Sequence, residues 1–246
     1  MDKVVMITGG SRGIGKRMVQ DFARAGYKVV FSYLTQESLA IQLQNSLNSQ
    51  GYQVFAYRLD LSSDTDISSF VDFAISKFGK IDMLINSAAV THDSLFQDKN
   101  SQSFMDVLRT NVVGTFCLSK LVGNIMFENK SGKIINISST NGINTYYPMC
   151  IEYDASKSAI NSMTHNLAMQ FAPFVNVNAI APGFIATESE IKDMDEEFIR
   201  SEEEKIFLRR AGTEEDVSNL ALFLASDKSN YINNQIIKIN GGVYGD

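Results

Sequence analysis

The chain is poor in the residues that build crosslinks, metal cages and linkers. Its two cysteines, Cys117 and Cys150, cannot make a disulfide framework and form no C-x-x-C pair. With only two histidines, His92 and His165, a His-rich metal site is not expected, and no metal is assigned. Three prolines and no low-complexity tract give no sign of a linker, and no fixed-period repeat is visible. No apolar run approaches the ~20 residues that span a bilayer. Residues 1–8 lack the basic start and longer apolar core of a signal peptide. A basic surplus is missing too: 22 Lys+Arg against 28 Asp+Glu give a net charge of −6, which argues against nucleic acid as a partner. A cytoplasmic single domain over 1–246 is the expectation.

The negative charge is concentrated. Glu188, Glu190, Asp193, Asp195, Glu196, Glu197, Glu202, Glu203 and Glu204 face only Lys192, Arg200 and Lys205, an excess equal to that of the whole chain. Most of these charges read as a solvated helix face.

Short apolar or β-branched runs at 3–7, 28–33, 53–57, 81–86, 133–138, 175–180 and 235–239 read as strands. Amphipathic stretches at 13–25, 36–49, 65–78, 103–127, 152–171 and 214–225 read as helices. This alternation predicts an α/β fold, a doubly wound Rossmann-type domain with a seven-stranded, mainly parallel sheet and helices on both faces. Ligands in such folds sit beyond the carboxyl ends of the strands.

The first strand runs directly into Thr8-Gly9-Gly10-Ser11-Arg12-Gly13-Ile14-Gly15 and then a helical pattern. Glycines let backbone approach a ligand closely, and a helix start offers free N–H groups and a positive dipole end. Together they predict a pyrophosphate site. An NAD site usually carries a carboxylate about 20 residues further on, whereas a 2′-phosphate needs a cation and no nearby acid. The second strand ends at Ser32-Tyr33-Leu34-Thr35 without an acid, and Glu37 fits as a first-turn acid of the next helix. Arg12 can reach a 2′-phosphate, with Ser32 and Thr35 as further hydroxyl partners. NADP(H) is therefore favoured over NAD(H).

Tyr153 and Lys157 lie four apart at the start of the 152–171 helix, hence on one face. A cation beside a phenol lowers its pKa from ~10 and suits it to exchange a proton with an alcohol or ketone. The preceding strand ends in Ser138-Ser139, and either hydroxyl could bond a substrate carbonyl.

With its leading Thr8, the G-x-x-x-G-x-G loop resembles the T-G-x-x-x-G-x-G fingerprint of the short-chain dehydrogenase/reductase superfamily. Carried over, the resemblance implies that Gly9, Ser11, Arg12, Gly13, Ile14 and Gly15 line the phosphates and ribose. It implies Asp60 as an adenine contact, and Asn86 and Ala88 beside the cofactor in Asn86-Ser87-Ala88-Ala89. In Pro182-Gly183-Phe184-Ile185-Ala186-Thr187, Pro182, Gly183, Ile185 and Thr187 would hold the nicotinamide end. It selects Ser139 over Ser138 as the catalytic serine, and makes Asn111 the residue that holds a water in a proton relay to Lys157. Tyr153 and Lys157 serve both catalysis and cofactor.

The chain is most similar to 3-oxoacyl-[acyl-carrier-protein] reductases, through residues 208–217, 223–227 and 231–232. That similarity implies a small-molecule or carrier-bound ketone substrate, a substrate lid at about 184–210, and a homotetramer paired through the 103–127 and 152–171 helices.

Ala89 stands where the family has glycine, a substitution that strains the backbone only if that position needs positive φ. The interval from Ser139 to Tyr153 is one residue longer than in the reductase subgroup. The acidic stretch should repel an acidic carrier unless Lys130, Lys133, Arg209 or Arg210 compensates, since no Lys or Arg occurs from 158 to 191. Alternatives are a dehydrogenase of another alcohol (sugar, steroid or polyol) and a non-catalytic dinucleotide sensor, which is expected to lack one or more of the four catalytic positions.

Overall fold

The computed structural model of the protein describes residues 2–144, 146–187 and 194–243. Seven strands form one sheet in the order β3-β2-β1-β4-β5-β6-β7: β1 Val4–Ile7, β2 Lys28–Tyr33, β3 Val54–Arg58, β4 Met83–Asn86, β5 Gly132–Ile137, β6 Val175–Pro182 and β7 Ile236–Ile239. All six pairings are parallel, so the sheet is wholly parallel rather than mainly so.

The strands read as continuous apolar runs because both faces are covered. Along β1, Val5 and Ile7 point into a core made with Met18, Val19 and Phe22 of α1 (Gly13–Arg24), Leu43 and Leu47 of α2 (Glu37–Ser49) and Val217, Ala221 and Leu224 of α8 (Glu214–Ala225). Met6 points the other way, toward Ile67 and Phe70 of α3 (Asp64–Phe78), Leu118, Val122 and Met126 of α5 (Thr115–Glu128) and Leu167 of α6 (Ile151–Gln170). This is the period-2 side-chain alternation of a strand with an apolar layer on each side.

The order reverses between β1, whose chain winds outward to β2 and β3, and β4, which starts the other half. The crevice beyond the carboxyl ends of β1 and β4 is thus the binding position this topology creates.

Two elements go beyond the six helices expected from periodicity. The 103–127 stretch is α4 (Ser101–Leu108), a π-helical turn over Arg109–Gly114, and then α5. A further helix, α7 (Glu196–Lys205), occupies the acidic stretch: the Asp195 side chain accepts the Glu197 N–H at its start, acids fill the first turn and Lys205 the last. Among the described residues, no helix is long and apolar enough to cross a membrane.

Candidate active site

β1 delivers Thr8 to the crevice, and its hydroxyl accepts the backbone N–H groups of Ser87 and Ala88 at 2.9 and 3.0 Å. The two halves of the sheet are thereby clasped at the point where they diverge. Gly9 follows at φ +69°, and a Cβ there would stand 2.9 Å from Ala88 Cα. Gly15 is tighter: its Cβ would stand 2.1 Å from the Gly9 carbonyl oxygen. Only glycine permits this fold-back of the loop onto the first turn of α1.

Unlike α3, α4 and α8, α1 has no side-chain cap, so its first N–H groups face the crevice without a side-chain acceptor. Such a start is built for an anion, and a pyrophosphate fits it. A methyl on Gly13 would meet Thr187 at 3.7 Å, so the loop after β6 closes over the same place.

Arg12 is exposed and has no ion pair among the described residues, and with Lys16 it lines a cleft of about 760 Å3 between α1 and α2. Glu37 sits in the first turn of α2 and accepts a hydrogen bond from the Tyr33 hydroxyl at 3.2 Å. Ser32 does not reach the cleft as expected. It is buried, and its hydroxyl accepts the Gly9 N–H, because the last inward position of β2 lies under the glycine loop. Thr35 is exposed. Asp60 is half-buried at the exit of β3, where the Ser62 hydroxyl and backbone N–H hold its carboxyl below the usual range.

Asn86 turns away from the crevice. Its amide donates to Ser119 Oγ at 2.9 Å and Asn136 Oδ1 at 2.8 Å, in a buried chain that continues to Thr164. Its Oδ1 is buried with no hydrogen-bond partner among the described residues. Ala89 lies outside the positive-φ region and is exposed, so the loss of glycine carries no strain.

The first turn of α6 carries Tyr153, with Lys157 one turn on. The lysine ammonium lies 5.3 Å from the phenol ring centroid and donates to the Ile137 carbonyl at 2.7 Å, at the end of β5. The two serines at that strand end separate cleanly. Ser138 is buried and donates to the Lys157 carbonyl at 3.3 Å. Ser139 is half-buried and starts a 3-10 turn, accepting the Asn141 N–H.

Asn111 lies within the π turn, buried. It accepts the Val90 N–H at 2.8 Å and donates to the Val90 carbonyl at 2.9 Å and Ser156 Oγ at 3.1 Å. Its amide is thus fully engaged in joining the loop after β4 to α6. A single π turn in an α-helix breaks the regular carbonyl ladder, as is frequent at functional sites.

The acids flanking Tyr153 organise its surroundings. Asp154 accepts the Asn141 amide at 2.7 Å and the Tyr147 N–H at 3.1 Å, which orders the loop between β5 and α6. Cys150 is buried in that loop, and burial, reinforced by Asp154, pushes its thiol up to about 12. It is an inert packing residue. His165 meets the Asn234 side chain at 2.5 Å and does not approach the site.

Pro182 ends β6, and Gly183 packs against Asn240 with no room for a side chain. Ile185 is buried and bridges to Gly212, while Thr187 is buried beside Gly13. The next residues of the expected lid, 188–193, lie outside the described residues. The chain then continues into α7, where Phe198 meets Phe184 edge-on at 6.4 Å.

Burial pulls the Lys157 ammonium down from 10.5 to about 8. Below that value both folded and unfolded chains are protonated and the burial cost is present in full. Between about 8 and 10.5 only the unfolded chain keeps the proton, so stability rises with pH. At 1.36 kcal/mol per unit, this amounts to roughly 3 kcal/mol. Urea unfolding of the ligand-free protein and of Lys157→Met, at pH ~7 and ~10.5, should show the wild type gaining about that much on the variant. A constant difference between them would contradict it.

Glycine cradle, uncapped helix start, phenol and buried ammonium all meet at the carboxyl end of a parallel sheet. Residues 9–244 match a family model described as Enoyl-(Acyl carrier protein) reductase. The chain belongs to the short-chain dehydrogenase/reductase family. It is therefore an oxidoreductase of the CH–OH/C=O pair that uses a nicotinamide cofactor.

Similar members of the family match end to end. The 3-oxoacyl-[acyl-carrier-protein] reductase FabG of Staphylococcus epidermidis is 33% identical over 249 residues, covering 99% of this chain and 100% of that one. That of Staphylococcus aureus is 34% identical over 247 residues, with 99% of each chain covered. Among solved structures, a 7α-hydroxysteroid dehydrogenase complexed with NADH and 7-oxo glycochenodeoxycholic acid is 34% identical. It superposes with a TM-score of 0.92 over 99% of this chain and 95% of that one.

Proposed function

We propose that the protein is an NADPH-dependent 3-oxoacyl reductase. The observation that carries this reading is the Tyr153–Lys157 pair set at the strand ends beside a glycine cradle flanked by the free cation Arg12. It is supported by full-length similarity to 3-oxoacyl-[acyl-carrier-protein] reductases. Gly9, Ser11, Gly13, Ile14 and Gly15 would hold the pyrophosphate, Arg12 the 2′-phosphate, Asp60, Asn86 and Ala88 the adenosine side, and Pro182, Gly183, Ile185 and Thr187 the nicotinamide end. The bound nicotinamide supplies the hydride.

The chain's own residues move the proton. The Tyr153 hydroxyl protonates the ketone oxygen, the Ser139 hydroxyl donates a hydrogen bond that orients and polarises the carbonyl, and the Lys157 ammonium stabilises the phenolate left behind. With its side-chain amide engaged, Asn111 would use its backbone in the π turn to seat a water that returns a proton toward Lys157. We also propose one domain over 1–246, located in the cytoplasm. Subunits would pair into a homotetramer through the exposed Met105, Phe116 and Phe127 of α4 and α5 and Met169 of α6.

One observation favours a second substrate reading, a ketone not held by a carrier protein. α7 presents Glu196, Glu197 and Glu204 to solvent; on the helix itself Arg200 is exposed and Lys205 pairs with Glu202, and the cations outside it that could offset the acids are elsewhere or engaged. Lys130 and Lys133 lie at the opposite end of the sheet, with Lys133 donating to Ser229 Oγ. Arg210 pairs with Asp216, and Arg209 donates to the Glu204 carbonyl. An acidic carrier would meet like charge there.

The test is a substrate panel: a 3-oxoacyl chain on carrier protein, the same chain on coenzyme A, and free cyclic and steroid ketones, each with NADPH and NADH. Reduction of the 3-oxoacyl thioesters is expected, with NADPH preferred. Arg12→Ala should erase most of that preference, since hydrogen bonds to a charged phosphate contribute about 1.5–3 kcal/mol, or roughly 10–100-fold. Activity on none of the ketones, or an NADH preference untouched by Arg12→Ala, would overturn the assignment.

A further inference from the structure

Glu152, the residue before Tyr153, is fully buried and charged, and the chemistry above does not use it. Its Oε1 lies 2.7 Å from Lys99 Nζ, and the two side chains are 1% and 8% exposed. In every other ion pair among the described residues, at least one side chain is more than a quarter exposed. Glu152 Oε2 has no hydrogen-bond partner among the described residues. Burial raises the Glu152 carboxyl, but the Lys99 hydrogen bond and charge outweigh it, and the net shift is downward. The pair is ionic and incompletely satisfied, a poor device for stability alone, because desolvation offsets most of the attraction.

What the pair holds is more informative. Lys99 ends the segment that follows β4, and it also donates to the His92 carbonyl at 2.8 Å, drawing that segment into a closed loop. The loop is fastened at two further places: Val90 to Asn111 in both directions, and the Ser94 N–H to the Met149 carbonyl at 3.1 Å. All three anchors belong to the surroundings of Tyr153: the π turn, the residues just before α6, and the first turn of α6. Between them the segment leaves Leu95 and Phe96 largely exposed, at 58% and 66%. Asp154 does the same for the segment between β5 and α6 through Asn141 and Tyr147. The two acids beside Tyr153 thus each fasten one of the two segments that adjoin the start of α6.

We infer that Lys99 and Glu152 form a positioning pair that fixes the 90–99 segment as one wall of the ketone site, so that Leu95 and Phe96 meet the apolar part of the substrate. This rests on the reductase reading above for the identity of the substrate, but not for the anchoring itself. The pair acts through the segment it holds and touches neither cofactor nor reacting atoms.

The test uses the full-length protein with Lys99→Met, and with Lys99→Met/Glu152→Met, which leaves no stranded buried charge should the single variant fold poorly. Amide hydrogen exchange in the ligand-free protein should speed up at least tenfold in residues 90–99, while β1 and β4 keep their protection. With a medium-chain 3-oxoacyl thioester, KM should rise about tenfold or more, kcat should stay within about twofold, and NADPH affinity should not move. Unchanged exchange in 90–99 overturns the anchoring, whether or not any ketone is reduced. Faster exchange with an unchanged KM overturns the assignment of the segment as substrate wall. Loss of protection throughout the sheet in both variants would make the pair a general structural element and equally overturn the proposal. Failure of the reductase reading is read separately, from the absence of wild-type turnover.

Discussion

Tyr153→Phe is expected to lower turnover by roughly 10²–10⁴-fold, the range that a positioned proton donor contributes, while NADPH still binds. The substitution removes only the hydroxyl. The ring that lies 5.3 Å from the Lys157 ammonium remains, and so does the α6 backbone that supports it. Lys157 keeps its bond to the Ile137 carbonyl, so its placement should survive. The measurement is single-turnover reduction of a 3-oxoacyl thioester beside a fluorescence titration of NADPH. Turnover within tenfold of wild type would show that another group protonates the ketone oxygen. Equal loss of cofactor binding would show instead that the variant disturbs the whole site.

Gly15→Ala should have the next largest effect, at the cofactor rather than the ketone. The new methyl would stand 2.1 Å from the Gly9 carbonyl oxygen and 2.9 Å from its carbon. Both are backbone, and Gly9 is itself pressed against Ala88, so the loop cannot yield on that side. Overpacking of this kind costs about 1–3 kcal/mol. At about 2–4 °C per kcal/mol for a chain of this size, Tm falls by roughly 2–12 °C. The N–H groups at the start of α1 would shift with the loop, and NADPH affinity should fall more than tenfold. An unchanged Kd would mean that the loop does not hold the pyrophosphate.

The sequence made the layered sheet legible, since each strand alternates between two apolar cores and each helix shows one apolar face. It also made the phosphate loop and the Tyr153–Lys157 pair legible, because both are local: one depends on spacing after a strand, the other on a single helical turn. The π turn was not legible. Arg109–Gly114 has the same apolar spacing as its neighbours, and what holds Asn111 inward is a pair of bonds to Val90, 21 residues away.

Two other features lay beyond local reading, and a third was only partly read. Lys99 and Glu152 are 53 residues apart, and each alone looks like surface charge. Ser32 looked available for a phosphate because its burial depends on where the glycine loop folds back. α7 did leave a signal that periodicity alone overlooks: an Asp195 cap, acids in the first turn and a lysine in the last.

The clasp between Thr8 and the Ser87 and Ala88 amides bears on how the cofactor arrives. Those two amides would otherwise be loose donors at the mouth of the switch point, and binding would have to order them. Because one hydroxyl already accepts both, the crevice proposed for the dinucleotide is set beforehand, and less conformational entropy would be lost on docking. A substitution at Thr8 should therefore weaken cofactor binding by loosening both halves of the sheet at once, without touching a residue that meets the phosphates.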